Sequence, residues 1–191
     1  MFDFRPGGMN RVWPGDPNGS LTERMAYLIW NKLILKSDYV LDFHTGSRYA
    51  PVWVFYEDYG VSPNVSRAIF EKSERMAKMF GSPILYKEVE EYGGGRTCRG
   101  ACVDYGIPSV VAELGGASYF DESIIEMTVR GIKNILIDLG MISGEIVLPD
   151  RQYVLKWIID SRKNSVFASV GGIFIPKVKL GDVVDRGDYL G

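Results

Sequence analysis

The sequence predicts an α/β protein in which a sheet covered by helices is followed by a small all-β region. Between residues 20 and 140, segments with apolar residues at helical spacing alternate with short apolar runs typical of buried strands. From about residue 144 the pattern changes to β-like runs divided by Lys, Asn, Gly and Asp turns, with no helical segment between them. We therefore predict an α/β domain over residues 1–143 and a β domain over residues 144–191.

The composition excludes several classes of protein. The 191 residues are 46% hydrophobic and 24% charged, which suffices for a substantial core and excludes a disordered chain. A formal net charge of −2 provides no general attraction to nucleic acid or to an anionic membrane. No apolar run reaches the roughly 18 residues that span a bilayer, the N-terminus lacks a signal-peptide pattern, and two cysteines cannot form a disulfide scaffold. We therefore expect a cytoplasmic protein.

The first helix has the clearest local signals. The first 19 residues are rich in Gly, Pro and Asn and are expected to form a loop. Ser20 and Glu23 then form a capping-box pattern, and the helical spacing of apolar residues continues to about residue 35.

A second helix is predicted to begin at Ser62-Pro63 and to end at Gly81. The strands predicted around these helices cover residues 39–43, 52–56 and 83–86.

The strand predicted over residues 108–113 is apolar almost throughout, as expected for a strand buried on both faces of a sheet. A short helix over residues 97–105 precedes it. A long helix follows it, capped by Asp121 and closed by Gly140. The β-like runs of the C-terminal region cover residues 153–159, 165–170, 172–175 and 183–184.

Two polar residues fall at the ends of predicted strands. His44 follows the strand at 39–43, and Glu113 closes the strand at 108–113. Ligands in an open α/β sheet bind outside the carboxyl ends of the strands. A histidine and a carboxylate converging there could serve as a metal ligand and a general base. The structural alternative is a histidine bonded to a loop carbonyl and a glutamate that caps the next helix. His44 is the single histidine of the chain, so any mechanism that needs an imidazole must use it.

Three segments together resemble a known enzyme family. They are NRVWPGD at residues 10–16, running into GSLTER at 19–24, DFHTG at 42–46, and PSVVAELGG at 108–116. Their order and intervals resemble those of the succinylglutamate desuccinylase/aspartoacylase family of zinc-dependent hydrolases, and the similarity extends over essentially the whole chain. The resemblance implies a carboxypeptidase-like mixed sheet flanked by helices, followed by a β domain related in shape to biotinyl and lipoyl carriers.

The resemblance also implies a role for each matching residue. His44 corresponds to a zinc ligand, and Glu113 to the catalytic glutamate that takes a proton from the zinc-bound water and passes it to the leaving amine. Asn10 and Arg11 correspond to the pair that holds the substrate, and a guanidinium suits this role because it grips a carboxylate with two hydrogen bonds. Two further arginines, Arg99 and Arg5, complete the implied substrate-binding set.

The chain departs from the family's pattern at its zinc site. That site uses two histidines and a glutamate, and the first two ligands come from a His-x-x-Glu motif upstream of the Asn-Arg pair. Only nine residues precede Asn10, and the chain has no second histidine. We therefore expect a chain truncated at its N-terminus and at its C-terminus, which holds one of the three zinc ligands and is inactive by itself.

Two hypotheses of function follow. In the first, the intact protein is a hydrolase with one zinc ion per subunit that cleaves the amide bond of an N-acyl amino acid or a similar small substrate. In the second, a non-catalytic protein on the same scaffold binds a carboxylated small ligand through Arg11 and Arg99. Neither hypothesis includes a nucleic acid or a membrane partner. The sequence does not specify the acyl group, the amine or the oligomeric state.

Three other patterns have structural interpretations. Gly93-Gly94-Gly95 is expected to be a flexible loop, because the Gly-Lys-Ser/Thr of a phosphate-binding loop is missing. Cys98 and Cys102 do not have a standard zinc spacing and are predicted to be free thiols. The tryptophans are predicted to be core residues rather than a stacking platform; they are Trp13, Trp30, Trp53 and Trp157.

Overall fold

The sheet of the protein has five strands in the order β1-β4-β2-β3-β5, as seen in a computed structural model that describes residues 8–46, 50–57, 65–88, 97–116, 120–157, 166–179 and 182–191. The pairs β1–β4, β2–β3 and β3–β5 are parallel, whereas β2 and β4 are antiparallel. This mixed sheet with flanking helices confirms the predicted α/β class. The strands are β1 (Val40–Gly46), β2 (Val52–Glu57), β3 (Ile84–Glu88), β4 (Ser109–Gly116) and β5 (Tyr153–Trp157).

The helices begin and end largely where local signals place them. Ser20 and Glu23 form the predicted capping box, in which the Ser20 hydroxyl accepts from the Glu23 amide and a Glu23 carboxylate oxygen accepts from the Ser20 amide. The first helix ends at Lys32 and is followed by a short 3-10 helix, Ile34–Lys36. Gly81 ends the second helix with a φ of 77°, a left-handed conformation that glycine adopts without strain. The helices are α1 (Leu21–Lys32), α2 (Arg67–Phe80), α3 (Cys98–Asp104) and α4 (Glu122–Asp138).

Short polar side chains cap the starts of α3 and α4, whereas Ser66 at the start of α2 makes no side-chain capping hydrogen bond. Ser62 and Pro63, the predicted start of α2, lie outside the described residues, and the described helix follows Ser66. The Thr97 hydroxyl accepts from the Gly100 amide at the start of α3. The Asp121 carboxylate accepts from the Ser123 amide at the start of α4, as predicted. These caps satisfy amide groups that have no partner within the helix.

The two faces of the sheet are covered by different helices. Helices α2 and α4 cover one face, where residues of β2, β3 and β4 alternate inward to form a core. Helices α1 and α3, with the loop before α1, form a second core that packs against Val40 of β1. The first core contains Val54, Tyr56, Met76, Ala77, Phe80, Leu85, Val110, Ala112 and Ile135. The second contains Val12, Trp13, Ala26, Trp30, Ile34, Cys98, Ala101, Cys102 and Ile107.

The strand β5 corrects the predicted domain boundary at residue 144. Tyr153–Trp157 pairs in parallel with β3, so a strand assigned to the β domain belongs to the main sheet. The segment before it is held by Asn134 of α4, whose side-chain amide makes two hydrogen bonds with the backbone of Val147, of 2.8 and 3.0 Å. The chain divides into units of residues 1–159 and 160–191.

The second unit does not show the predicted all-β domain. Its described residues, 166–179 and 182–191, form no β-strand. One backbone hydrogen bond joins the Lys177 amide to the Leu190 carbonyl, and apolar residues such as Ile173 are almost fully exposed. A strand needs a neighbouring segment that supplies a ladder of hydrogen bonds, and an apolar pattern alone does not provide one.

Within the described part of the chain, no helix combines the length and hydrophobicity required to cross a membrane.

Gly131 allows α4 to lie close against the end of α2, and this generates a prediction. A Cβ atom at this position would lie 2.5 Å from the Phe80 carbonyl oxygen and 2.8 Å from the Phe80 ring. We expect Gly131→Ala to lower the free energy of unfolding by about 1–3 kcal/mol, because overpacking outweighs the better helix propensity of alanine. Chemical denaturation measures this difference. Arg130→Ala, on the exposed side of the same helix, serves as the control and should change stability little. A Gly131→Ala protein as stable as the wild type would show that the helices do not approach this closely.

Candidate active site

His44 and Glu113 lie directly opposite each other on the parallel strands β1 and β4. Their side chains project from the same face, at the carboxyl ends of both strands, and Nδ1 of His44 is 3.6 Å from a carboxylate oxygen of Glu113. Both side chains are partly exposed, to 27% and 18%. The structure therefore brings together the two residues that the sequence placed at strand ends.

Asp42 completes this cluster from the other side of the imidazole. Its Oδ2 accepts a hydrogen bond of 3.1 Å from Nε2 of His44. Asp42 precedes His44 by two residues on β1, so both side chains project from the same face of the strand. The sequence interpretation left Asp42 without a role, although this two-residue spacing was the available signal. His44 thus lies between two carboxylates, with one ring nitrogen facing each.

The two carboxylates stabilise the protonated imidazole. The hydrogen bond to Asp42 and the interaction with Glu113 raise the pKa of His44 from 6.5 to about 10, although partial burial opposes this shift. Without a metal ion, His44 is therefore a cation at neutral pH, and both ring nitrogens are hydrogen-bond donors. A metal ion that binds either nitrogen must first displace a proton.

The described residues do not form a complete metal centre. A catalytic zinc ion is held by three protein ligands. Within the described ranges, no group of three or more His, Cys, Asp or Glu side chains is arranged to hold a metal ion. Asp42 and Glu113 face different nitrogens of His44, so the three groups do not converge on a common point. These residues fit one zinc ligand, His44, and do not fit the whole site that the family resemblance implies.

One carboxylate oxygen of Glu113 has no partner among the residues that the structure describes. This oxygen is Oε2, and it is buried. Most buried polar atoms in native proteins are paired, and exceptions are often found at functional sites. A free carboxylate oxygen is a proton acceptor, which is the property that a general base requires.

Asn10 and Arg11 lie in a short 3-10 helix, Gly8–Arg11, in the segment before α1 that was expected to be a loop throughout, and Asn10 contacts the start of α3. The Asn10 side-chain oxygen accepts a 2.9 Å hydrogen bond from the Cys98 amide, and Arg11 donates to the Asn10 carbonyl at 2.6 Å. The Cys98 thiol is close enough to Asp42 and His44 for both charges to act on its pKa. This segment is thereby connected to the His44 cluster through the first residue of α3. The predicted substrate role of Asn10 and Arg11 stays a prediction.

Arg99 is engaged within the protein. It is buried, with 7% of its surface exposed, and its guanidinium donates to Glu57 at 3.0 Å and to Glu88. Both glutamates are themselves buried. A substrate carboxylate at Arg99 would have to compete with these two carboxylates, so its predicted substrate role remains a prediction. Arg5, the remaining predicted site residue, lies outside the described residues.

Trp53 differs from the other described tryptophans. Trp13 and Trp30 belong to a core, as predicted, whereas Trp53 is only half-buried and lies directly opposite Glu113 on β2. Its ring makes edge contacts with Phe55 and Tyr86, on the same face of the sheet. The sequence predicts that successive side chains of β2 project to opposite faces of the sheet. It does not predict which of the two faces the helices α2 and α4 cover, and therefore not on which side Trp53 lies.

Cys98 and Cys102 are free thiols, as predicted, and both are buried. The hydrogen bond to Cys102 and burial raise the pKa of Cys98 well above its ordinary value. Since the folded thiol holds its proton at a pH where the unfolded one ionises, its contribution to stability is present at neutral pH and is lost as the pH rises above about 8.5.

We expect these thiols to react slowly with iodoacetamide. The thiolate is the reactive form, so native alkylation at mildly alkaline pH should be at least about tenfold slower than in denaturant. Mass spectrometry of the alkylated chain over time measures both rates. Cys102→Ser serves as a comparison because it exchanges the partner of Cys98 without removing the cysteine under study. Equal rates in the native and denatured chain would contradict the burial and pairing described above.

Known proteins share the sequence pattern and the fold of this chain. Residues 4–139 match the model of the succinylglutamate desuccinylase/aspartoacylase catalytic domain. The chain is 31% identical over 186 residues to an N-alpha-acetyl-L-2,4-diaminobutyric acid deacetylase of Halomonas elongata, covering 96% of the chain and 52% of that protein. The product-bound ectoine utilization protein EutE (DoeB) of Ruegeria pomeroyi superposes with a TM-score of 0.80 at 25% identity, covering 96% of the chain and 54% of that protein.

A further structure shows the same fold. A succinylglutamate desuccinylase/aspartoacylase of Rhodobacter sphaeroides superposes with a TM-score of 0.75 at 24% identity, covering 95% of the chain and 54% of that protein. The chain thus spans about half the length of the relatives that it matches.

Proposed function

The chain belongs to the succinylglutamate desuccinylase/aspartoacylase family, and from this premise we propose that it contributes the catalytic site of a deacylase that hydrolyses the amide bond of an N-acyl amino acid. The observation that best supports the proposal is the pairing of His44 with Glu113 at the carboxyl ends of β1 and β4. The relative from Halomonas elongata is named for the deacetylation of an N-acetylated amino acid. We propose a substrate of the same class for the enzyme in which this site is complete.

In the proposed reaction, Glu113 is the general base and then the general acid. Amide hydrolysis requires that the attacking water lose a proton and that the leaving nitrogen gain one. The Oε2 atom of Glu113 can accept the first proton and return it to the leaving amine. The second carboxylate oxygen lies 3.6 Å from Nδ1 of His44 in this structure. One residue can therefore serve both proton transfers.

We further propose zinc as the cofactor, with His44 as one ligand. When bound, zinc would polarise the scissile carbonyl and lower the pKa of a bound water. A carboxylate hydrogen-bonded to one nitrogen of a ligating histidine fixes the ring and directs the other nitrogen to the metal. The contact of Asp42 with Nε2 has this form. The other ligands are not found among the described residues.

Substrate binding is assigned to Asn10 and Arg11. A guanidinium and a neutral amide together suit the carboxylate of an acyl amino acid. The alternative hypothesis, a non-catalytic binding protein, requires both Arg11 and Arg99. Since Arg99 is paired with Glu57 and Glu88, this alternative has less support.

The central test is Glu113→Gln in an enzyme whose zinc ligands are complete. The amide keeps the shape of the carboxylate and removes the proton acceptor, so turnover should fall by roughly 10²–10⁴-fold or more. The zinc content should stay near that of the wild type, because Glu113 is assigned as the base and not as a ligand. Deacylation assays and metal analysis measure the two effects. Glu126→Gln, the same change on the exposed side of α4, should alter neither. A Glu113→Gln enzyme that keeps most of its rate, or that loses its zinc, would refute this role.

A second prediction concerns the 191-residue chain by itself. We expect no stoichiometric zinc and no measurable hydrolase activity, because the described residues supply one ligand where three are needed. Changes outside the ligands alone weaken binding by roughly 10–100-fold, and the loss of two ligands should weaken it much more. Elemental analysis of the purified chain after dialysis against zinc measures the content, with His44→Ala as the control. One zinc ion per chain that disappears in His44→Ala would overturn the prediction.

A further inference from the structure

Two buried polar atoms in the site have no hydrogen-bond partner among the described residues. They are Nε1 of Trp53 and Oε2 of Glu113, a donor and an acceptor. Trp53 lies directly opposite Glu113 in the antiparallel pairing of β2 with β4, and His44 lies opposite Glu113 in the pairing of β4 with β1. The three side chains therefore form a row across three adjacent strands on one face of the sheet.

The indole N–H of Trp53 is buried and has no acceptor among the described residues. A buried N–H group without a partner is unusual in native proteins. Glu113 is the nearest acceptor-bearing side chain in the row, and it does not accept from Trp53 in this structure. A ligand bound above Glu113 would lie beside the indole and could supply the acceptor that the protein does not.

The surroundings of Trp53 hold its ring in place. Trp53 makes edge contacts with Phe55 and Tyr86, with ring centroids 6.0 and 5.2 Å apart, and these two rings stack on each other at 5.3 Å. Burial raises the pKa of Tyr86, so its phenol is uncharged at neutral pH. The three rings form an aromatic surface that carries the indole N–H of Trp53 and the phenol of Tyr86 and has no charge of its own.

We propose that Trp53 is a substrate-binding residue whose Nε1–H donates to the acyl carbonyl oxygen of a bound N-acyl amino acid, while the rings of Phe55 and Tyr86 contact the acyl group. This inference rests on the proposed function, which supplies the ligand class. The carboxylate of Glu113 beside the indole repels an anion, so an uncharged carbonyl suits this donor better than the carboxylate of the substrate. An aromatic wall with a few oriented polar groups is typical of small-molecule sites.

An NMR titration measures whether a ligand contacts the indole N–H of Trp53. The ¹⁵N-labelled 191-residue chain is titrated with N-acetyl-L-2,4-diaminobutyric acid, and the resonances of the tryptophan indoles and of His44 are followed by NMR after triple-resonance assignment. L-2,4-Diaminobutyric acid, which lacks the acyl carbonyl, is the control ligand. We expect a saturable downfield shift of the Trp53 indole proton with the acetylated compound only. The indole of Trp30, a residue of α1 that is buried in the second core, should not move.

A pair of variants measures the contribution of the donor. Trp53→Phe keeps an aromatic ring and removes the N–H, so the affinity for the acetylated compound should fall by about three- to tenfold. Tyr105→Phe removes a hydroxyl donor from an exposed ring at the end of α3, next to the start of β4, and should leave the affinity unchanged. Thermal unfolding of both variants confirms that they are folded, and the wild-type titration remains informative if either is not.

The outcomes separate this inference from the proposed function. A saturable change at His44 with an unmoved Trp53 indole, or an unchanged affinity in folded Trp53→Phe, would overturn the role of Trp53 and leave the deacylase site in place. The absence of a saturable change at both residues would reject the N-acyl amino acid as ligand, and the inference with it. An equal shift with the unacetylated amino acid would show that the indole does not bind the acyl carbonyl.

Discussion

The parallel pairing of β1 with β4 is the constraint on which the rest of the site depends. Its register places His44 opposite Glu113, and the neighbouring antiparallel pairing places Trp53 opposite Glu113. A slip of β4 by one residue would turn Glu113 toward the core where Val110 and Ala112 pack against α2 and α4. Burial of that apolar face is therefore what holds the polar row on the opposite face. The core and the site are specified by the same hydrogen-bond ladder.

Two clusters of charged side chains, one around Arg99 and one around His44, differ in whether every polar atom has a hydrogen-bond partner. Arg99 lies between Glu57 and Glu88, and all three are buried, so their charges are satisfied internally. His44 lies between Asp42 and Glu113 in a similar way, yet one oxygen of Glu113 is left without a partner among the described residues. The first cluster has the form of a structural network. The second leaves a carboxylate oxygen without a partner in the described part of the chain, as the proposed general base requires.

Helix α3 connects the parts of the site that lie far apart in the sequence. The Cys98 amide donates to Asn10 in the segment before α1, and the Ser109 hydroxyl of β4 donates to the Arg99 carbonyl. The guanidinium of Arg99 in turn reaches the ends of β2 and β3 through Glu57 and Glu88. The short helix therefore positions the segment of Asn10 and Arg11 relative to the strands that carry His44 and Glu113. The first turn of α3 therefore packs on the sheet and also joins Asn10 to Glu57 and Glu88 through hydrogen bonds of Cys98 and Arg99.

The sequence by itself determined the features that depend on local chemistry. The capping box at Ser20, the stop at Gly81 and the apolar strand before Glu113 were all predicted, because caps, left-handed glycines and apolar runs act within a few residues. The same local logic identified His44 and Glu113, since the end of a strand can be read from the strand itself. Only the tertiary structure decided which strands are neighbours and which face the helices cover. It added β5 to the main sheet, paired Arg99 with glutamates 42 and 11 residues away, and turned Trp53 toward the site. These features depend on hydrogen bonds and burial between distant segments, which no local pattern encodes.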